Sequence, residues 1–145
     1  FRRVLFRSRP DRQVEWKIGR LPTAWGDATL LRQVWYNLID NAVKYSRDRE
    51  PAVISIDGST ADDVTVYSIS DNGVGFDMAY VGKLFGVFQR LQRAEDFDGT
   101  GIGLALVRRI VERHNGTVKA TGEEDKGATF TFALPTPEKK GRALA

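Results

Sequence analysis

DATLLRQVWYNLIDNAVKYS, residues 27 to 46, decides the reading of this chain. Its apolar residues fall in pairs one turn apart: Leu30 and Leu31, Val34 and Trp35, Leu38 and Ile39, Ala42 and Val43. That spacing predicts one amphipathic helix with a stripe turned toward a core. A second set, Gln33, Asn37, Asn41 and Lys44, recurs at i, i+4, i+8 and i+11, away from the apolar stripe. Stacked carboxamides and an ammonium can offer oxygen ligands to a hard cation and positive charge to a phosphate. A solvated helix face is the alternative reading, and residues further along the chain decide between the two.

Outward from this helix, the chain has the length and apolar content of one domain able to bury a single core. Cysteine is absent, so a disulfide framework and a thiolate metal site are excluded, and the lone His114 cannot form a metal cluster. No apolar run approaches the roughly 18 residues that span a bilayer, and no signal peptide is legible. The expectation is a cytoplasmic domain that makes no membrane contact of its own. The formal charge is +3, from 22 basic and 19 acidic residues; removing Arg2, Arg3, Arg7 and Arg9 leaves 18 against 19, or −1. The basic character therefore belongs to the first nine residues, and no nucleic-acid partner is expected.

Residues 1–9 lack a clear period and read as an expression or assembly scar or a frayed remnant, residues 10–135 as the domain, and residues 136–145 as a flexible tail. Val14, Trp16 and Ile18 alternate as a first strand, and Asp27 is placed to cap the long helix. Two strands follow, through Ile54 and Ile56 and through Thr65, Tyr67 and Ile69, joined around Gly58 to Asp63. A short helical segment is expected over Ala79 to Phe88 and a loop over Gln89 to Thr100. A second helix is expected from about Ile102 to His114, closed by Asn115-Gly116. Two last strands, through Val118 and Ala120 and through Phe130, Phe132 and Leu134, flank a turn from Gly122 to Gly127. The order predicts an α/β (α+β) two-layer arrangement, one mixed sheet with its helices on a single face.

Three further motifs carry chemistry. Gly99-Thr100-Gly101-Ile102-Gly103-Leu104 places glycines where a loop becomes a helix, so free N–H groups there can receive phosphate oxygens. Turn formation and close helix packing also select glycine, and neither a P-loop nor a dinucleotide fingerprint is present. Asp71-Asn72-Gly73, followed by Gly75, is either a tight turn or a carboxylate at a strand end with space beside it. Such a carboxylate can accept a hydrogen bond from an exocyclic amine such as that of adenine. Arg90 stands at the start of the loop, from which a guanidinium can reach a terminal phosphate.

In order and wording these motifs resemble the ATP-binding catalytic domain of sensor histidine kinases, in the GHKL superfamily that includes gyrase, mismatch-repair ATPases and heat-shock chaperone ATPases. Leu31 to Tyr45 is similar to the family's N box, Asp71 to Gly75 to the first glycine box, Lys83 to Leu91 to the F box, and Gly99 to Leu104 to the second glycine box. The wording of the F box and of Gly99 through His114 is most similar to phytochrome-like and PAS-linked kinases. The resemblance implies the Bergerat-type fold, with about five strands and about three helices on one face.

It further implies that Asn37 and Asn41 hold Mg²⁺ and nearby phosphate oxygens, that Lys44 contacts phosphate and that Tyr45 lies against adenine. Asp71 would recognise the adenine amine. Gly73, Gly75, Gly99, Thr100, Gly101, Ile102, Gly103 and Leu104 would form walls and lid, with Arg90 at the γ-phosphate and Thr129 supporting the adenine end. The superfamily's hydrolases carry a glutamate where this chain has Asn37, and an amide is no general base at neutral pH. The implied activity is transfer of the γ-phosphoryl of ATP to a histidine on a separate dimerisation and phosphoacceptor domain, feeding a response regulator. The implied isolated domain is monomeric. His114, at a helix end, is expected to be structural. A hydrolysing ATPase of the wider superfamily and a degenerate interaction module are the alternatives.

Overall fold

The computed structural model describes residues 13–86 and 103–136. Its elements in chain order are β1 (Val14–Ile18), α1 (Ala28–Tyr45), β2 (Ala52–Ala61), β3 (Val64–Asp71), a 3₁₀ helix (Met78–Lys83), α2 (Gly103–Arg113), β4 (Thr117–Glu123) and β5 (Gly127–Pro135). The sheet runs β1-β2-β3-β5-β4. Only β1 and β2 pair in parallel, from Val14 opposite Ala52 to Ile18 opposite Ile56. Parallel neighbours need a crossover, and α1 supplies it. The other three pairings are antiparallel.

The α1 stripe buries as the spacing predicts. Leu31, Val34, Leu38, Ile39, Ala42 and Val43 are all buried, and the Asp27 carboxylate accepts the Leu30 N–H at 3.0 Å to open the helix. From the sheet, Ile54 and Ile56, Tyr67 and Ile69, and Phe130, Phe132 and Leu134 meet this stripe together with Val107, Ile110 and Val111 of α2. An aromatic cluster fixes the layer spacing: the Trp35 ring lies edge-on to Tyr67 at 5.5 Å and to Phe132 at 5.2 Å, while Tyr67 and Phe132 stack at 5.1 Å. The Tyr67 hydroxyl donates to the Pro22 carbonyl at 2.8 Å, so a buried phenol keeps a partner.

Some boundaries differ from the expectations above. β2 continues through Gly58 to Ala61, and the reversal uses only Asp62 and Asp63, with Asp62 at φ 55. The Pro22 ring and the Tyr67 ring pack against Gly58, which is why a glycine stands inside the strand. Of the segment expected as a helix over 79–88, residues 87 and 88 lie outside the described residues, and the rest is a 3₁₀ turn ending at Lys83, with i to i+3 bonds from Tyr80 N–H to Asp77 and Leu84 N–H to Val81. Gly82 and Gly86 disfavour its continuation as an α-helix. The last turn narrows to residues 124–126. At the end of α2 the expectation holds: Asn115 takes φ 63, and Gly116 N–H returns to the Val111 carbonyl at 2.9 Å.

Leu38 is 2% exposed in the middle of the two-layer contact. Leu38→Ala is expected to lower stability by about 2–5 kcal/mol with little change in m, as measured by urea denaturation.

Candidate functional site

The site is built where the C-terminal end of α1 meets the turn that leaves β3. Core-facing residues of β3 run Thr65, Tyr67, Ile69 and then Asp71, so alternation carries the carboxylate onto the same face as the core. Asp71 is 9% exposed, and burial pushes its carboxyl up to about 6. Hydrogen bonds from the Gly73 and Ala128 backbone and the Arg49 charge pull the other way without cancelling that effect. The Gly73 N–H donates to Asp71 Oδ1 at 2.8 Å.

The turn is welded to α1. The Val74 N–H donates to the Tyr45 carbonyl at 3.0 Å, and a Cβ on Gly73 would overlap that same carbonyl oxygen. Gly75 sits at φ 64 against the Glu123 carbonyl, a conformation and an approach that a side chain would prevent. Asn72 faces the other way, accepting the Val53 N–H at 2.9 Å and donating to the Pro51 carbonyl at 3.2 Å. Its role is structural.

Arg49 was not singled out from sequence, yet it ties the site together. Its Nε donates to the Asn72 carbonyl at 2.7 Å, and one terminal nitrogen reaches the Gly73 and Asp125 carbonyls, each at 3.1 Å. Asp125 N–H in turn donates to the Val74 carbonyl at 2.8 Å. An arginine shortly after a helix C-terminus is too common to have revealed this.

Along α1, the Asn37 amide nitrogen donates to the Gln33 carbonyl at 2.9 Å, which fixes the amide. Its Oδ1 then lies 3.2 Å from where a Cβ on Gly103 would stand, so it borders the first residue of α2. Asn41 and Tyr45 are half-buried on the same helix. Lys44 pairs with Asp40 at 2.9 Å, a one-turn ion pair that the sequence contained and the polar-row reading passed over. Leu104, one residue into α2, packs against the core. Arg90, Gly99, Thr100, Gly101 and Ile102 lie outside the described residues.

Thr129 is not brought to the site. The β3–β5 register pairs it with Ser70, and their hydroxyls bond at 2.7 Å. Phe130, Phe132 and Leu134 occupy the core-facing parity of β5, so Thr129 belongs to the opposite sheet face. Ala128, the partner of Asp71, has the core-facing parity instead. A cleft of about 250 Å³ beside the turn is lined by Val74, Gly75, Phe76, Asp77, Tyr80, Glu124 and Asp125, and its walls do not include the α1 polar row.

Asp71 is buried where the β3 turn bonds to the C-terminal end of α1, and Asn37, near the middle of that helix, borders the start of α2. Among the described residues no group of three or more His, Cys, Asp or Glu is placed to hold a metal. Asn37 and Asn41 carry carboxamide oxygens of the kind a hard cation accepts. No described helix is long and apolar enough to cross a membrane.

Because its folded-state pKa is raised from 3.8 to about 6, Asp71 contributes stability that is full below pH about 4 and lost as pH rises through about 6. Asp71→Asn is therefore expected to gain stability relative to the unmodified protein between pH 4 and pH 8, by up to about 3 kcal/mol. Parallel urea titrations at the two pH values measure it.

Residues 26–138 match the family model described as histidine kinase-, DNA gyrase B-, and HSP90-like ATPase. The phytochrome-like protein Cph1 of Synechocystis is 36% identical over 121 residues, covering 83% of this chain and 16% of that protein. The sensor histidine kinase WalK of Bacillus subtilis is 35% identical over 136 residues, covering 92% of this chain and 21% of that protein. The chain thus spans about a fifth of these relatives' length. The structure of full-length ShkA in complex with AMPPNP superposes with a TM-score of 0.72 at 30% identity, over 92% of this chain and 28% of that one. The chain belongs to the histidine kinase-, DNA gyrase B- and HSP90-like ATPase family, as an ATP-binding domain of the sensor histidine kinase type.

Proposed function

We propose that this domain holds Mg-ATP and presents its γ-phosphoryl to a histidine carried by a separate dimerisation and phosphoacceptor domain, from which the phosphoryl passes to a response regulator. The observation that carries the reading is the Asp71 carboxylate, buried at a strand end beside the turn that is bonded to α1. A buried carboxylate is costly to keep unless a donor arrives, and the adenine amine is such a donor.

In this reading Asn37 and Asn41 would hold magnesium, which when bound neutralises charge on the phosphate oxygens. Lys44 shares its charge between Asp40 and phosphate, and Tyr45 lies along the base. Arg90 and the glycines from Gly99 to Gly103 close over the phosphates, with the N-terminal N–H groups of α2 receiving an oxygen. Phosphoryl transfer asks chiefly for alignment and charge neutralisation, and these residues supply both. Asn37 supports transfer over hydrolysis, because an amide bonded to the Gln33 carbonyl cannot take a proton from water. The domain works away from the membrane, in the cytoplasm, and is monomeric when isolated.

Two measurements test this. Incubated with γ-labelled ATP, the domain is expected to bind nucleotide without labelling itself and to label a separately supplied histidine-bearing helical domain; steady turnover abolished by an Asn41 substitution would favour the hydrolase instead. Adenosine affinity, free of phosphate titration, is expected to fall about tenfold per pH unit below about pH 6, since the amine requires the ionised carboxylate. Asp71→Asn is expected to weaken adenosine by about 1–3 kcal/mol at pH 8 and to flatten that slope. Calorimetric titration reads both, and equal affinity in the variant would remove Asp71 from the site.

A further inference from the structure

α2 begins at Gly103 against Asn37 of α1, and the other end of α2 meets the start of α1 at His114. Its Nδ1 donates to the Ile110 carbonyl at 2.8 Å, one turn back in its own helix. Its Nε2 therefore carries the lone pair, which accepts the backbone N–H of Asp27 at 3.0 Å. Asp27 is the N-cap of α1. In a capping box the third helical residue is a Glu or Gln that reaches back to the N-cap N–H. Here that residue is Leu30, which cannot do so, and the imidazole from 87 residues away takes its place.

The contact is built for closeness. A Cβ on Gly26 would overlap the imidazole ring and lie 2.7 Å from Nε2, so the bare Cα is what admits the ring. Leu31, the next residue facing this corner, is buried in the core cluster. α2 is 11 residues long, roughly 16 Å, with Gly103 against Asn37 at one end and His114 just past the other. A helix fixed at its C-terminal end has its N-terminal end set along α1.

We propose that His114 is a positioning residue for the phosphate end of the nucleotide cleft: by closing the cap of α1 it fixes where α2 begins relative to Asn37. The inference rests on the reading of the cleft given under the proposed function. Adenine, held by Asp71 on β3, does not depend on that register, whereas phosphate contacts from α2 do. Displacement of a binding group by about 1 Å is enough to lose most of its contribution.

The test compares Mg-ATP with adenosine in calorimetric titrations of the whole chain. The terminal oxygen of glutamine can stand where Nε2 stands, and that of asparagine only near Nδ1. His114→Asn and His114→Phe are expected to lose about tenfold in Mg-ATP affinity while adenosine stays within about twofold, and His114→Gln to recover most of the loss. Gly26→Ala, which keeps the ring but pushes it away, is expected to resemble the asparagine variant. Equal loss for both ligands, or failure of glutamine to do better than asparagine, overturns the inference and leaves the reading of the cleft standing. Wild-type protein that binds neither ligand overturns both.

Discussion

The hydrogen bond from Val74 to the carbonyl of Tyr45 holds the molecule's chemistry together. α1 ends at Tyr45, and its last carbonyls need partners that a helix cannot give itself. The turn leaving β3 supplies one of them, and in doing so comes close enough that only a glycine fits at position 73. Satisfying a helix end and fixing the turn that follows Asp71 against the C-terminal end of α1 are therefore one structural event. Arg49 extends the same logic, covering carbonyls of the β3 turn and of the β4–β5 turn with one side chain.

That arrangement explains why glycines stand in this loop without appeal to flexibility. Gly73 permits backbone to approach backbone, and Gly75 takes a left-handed conformation against the β4 carbonyl of Glu123. The loop is fastened on two flanks. A rigid turn keeps the Asp71 carboxylate facing one direction, and recognition of a donor is more selective when the acceptor cannot swing to meet alternatives.

Much of this was legible in the sequence, and the rest was hidden for identifiable reasons. The α1 stripe, the Asp27 cap and the Asn115 helix end are local patterns, so their physics is written within a few residues. The strands through Tyr67 and Phe132 follow from alternation. Thr129 lies on the opposite sheet face because the face of a strand residue depends on register with a distant strand, here β3, and the run Ala128-Thr129-Phe130 gives no hint of it. Arg49 and His114 act across gaps in sequence, through carbonyls and an N–H that no composition reveals. The β2 boundary moved because Pro22 and Tyr67 cover Gly58, a tertiary contact overriding a turn-prone residue.

Asp71 shows the conflict this fold resolves. Its position continues the row Thr65, Tyr67, Ile69, where an apolar side chain would serve the core better. Two backbone N–H groups and the Arg49 charge lower the cost of the carboxylate but leave its pKa raised. In the proposed reading a ligand amine would complete the set on arrival, which opposes stability to recognition at this residue. Elsewhere in the core the aromatic cluster of Trp35, Tyr67 and Phe132 supplies packing that offsets the cost of a buried carboxylate.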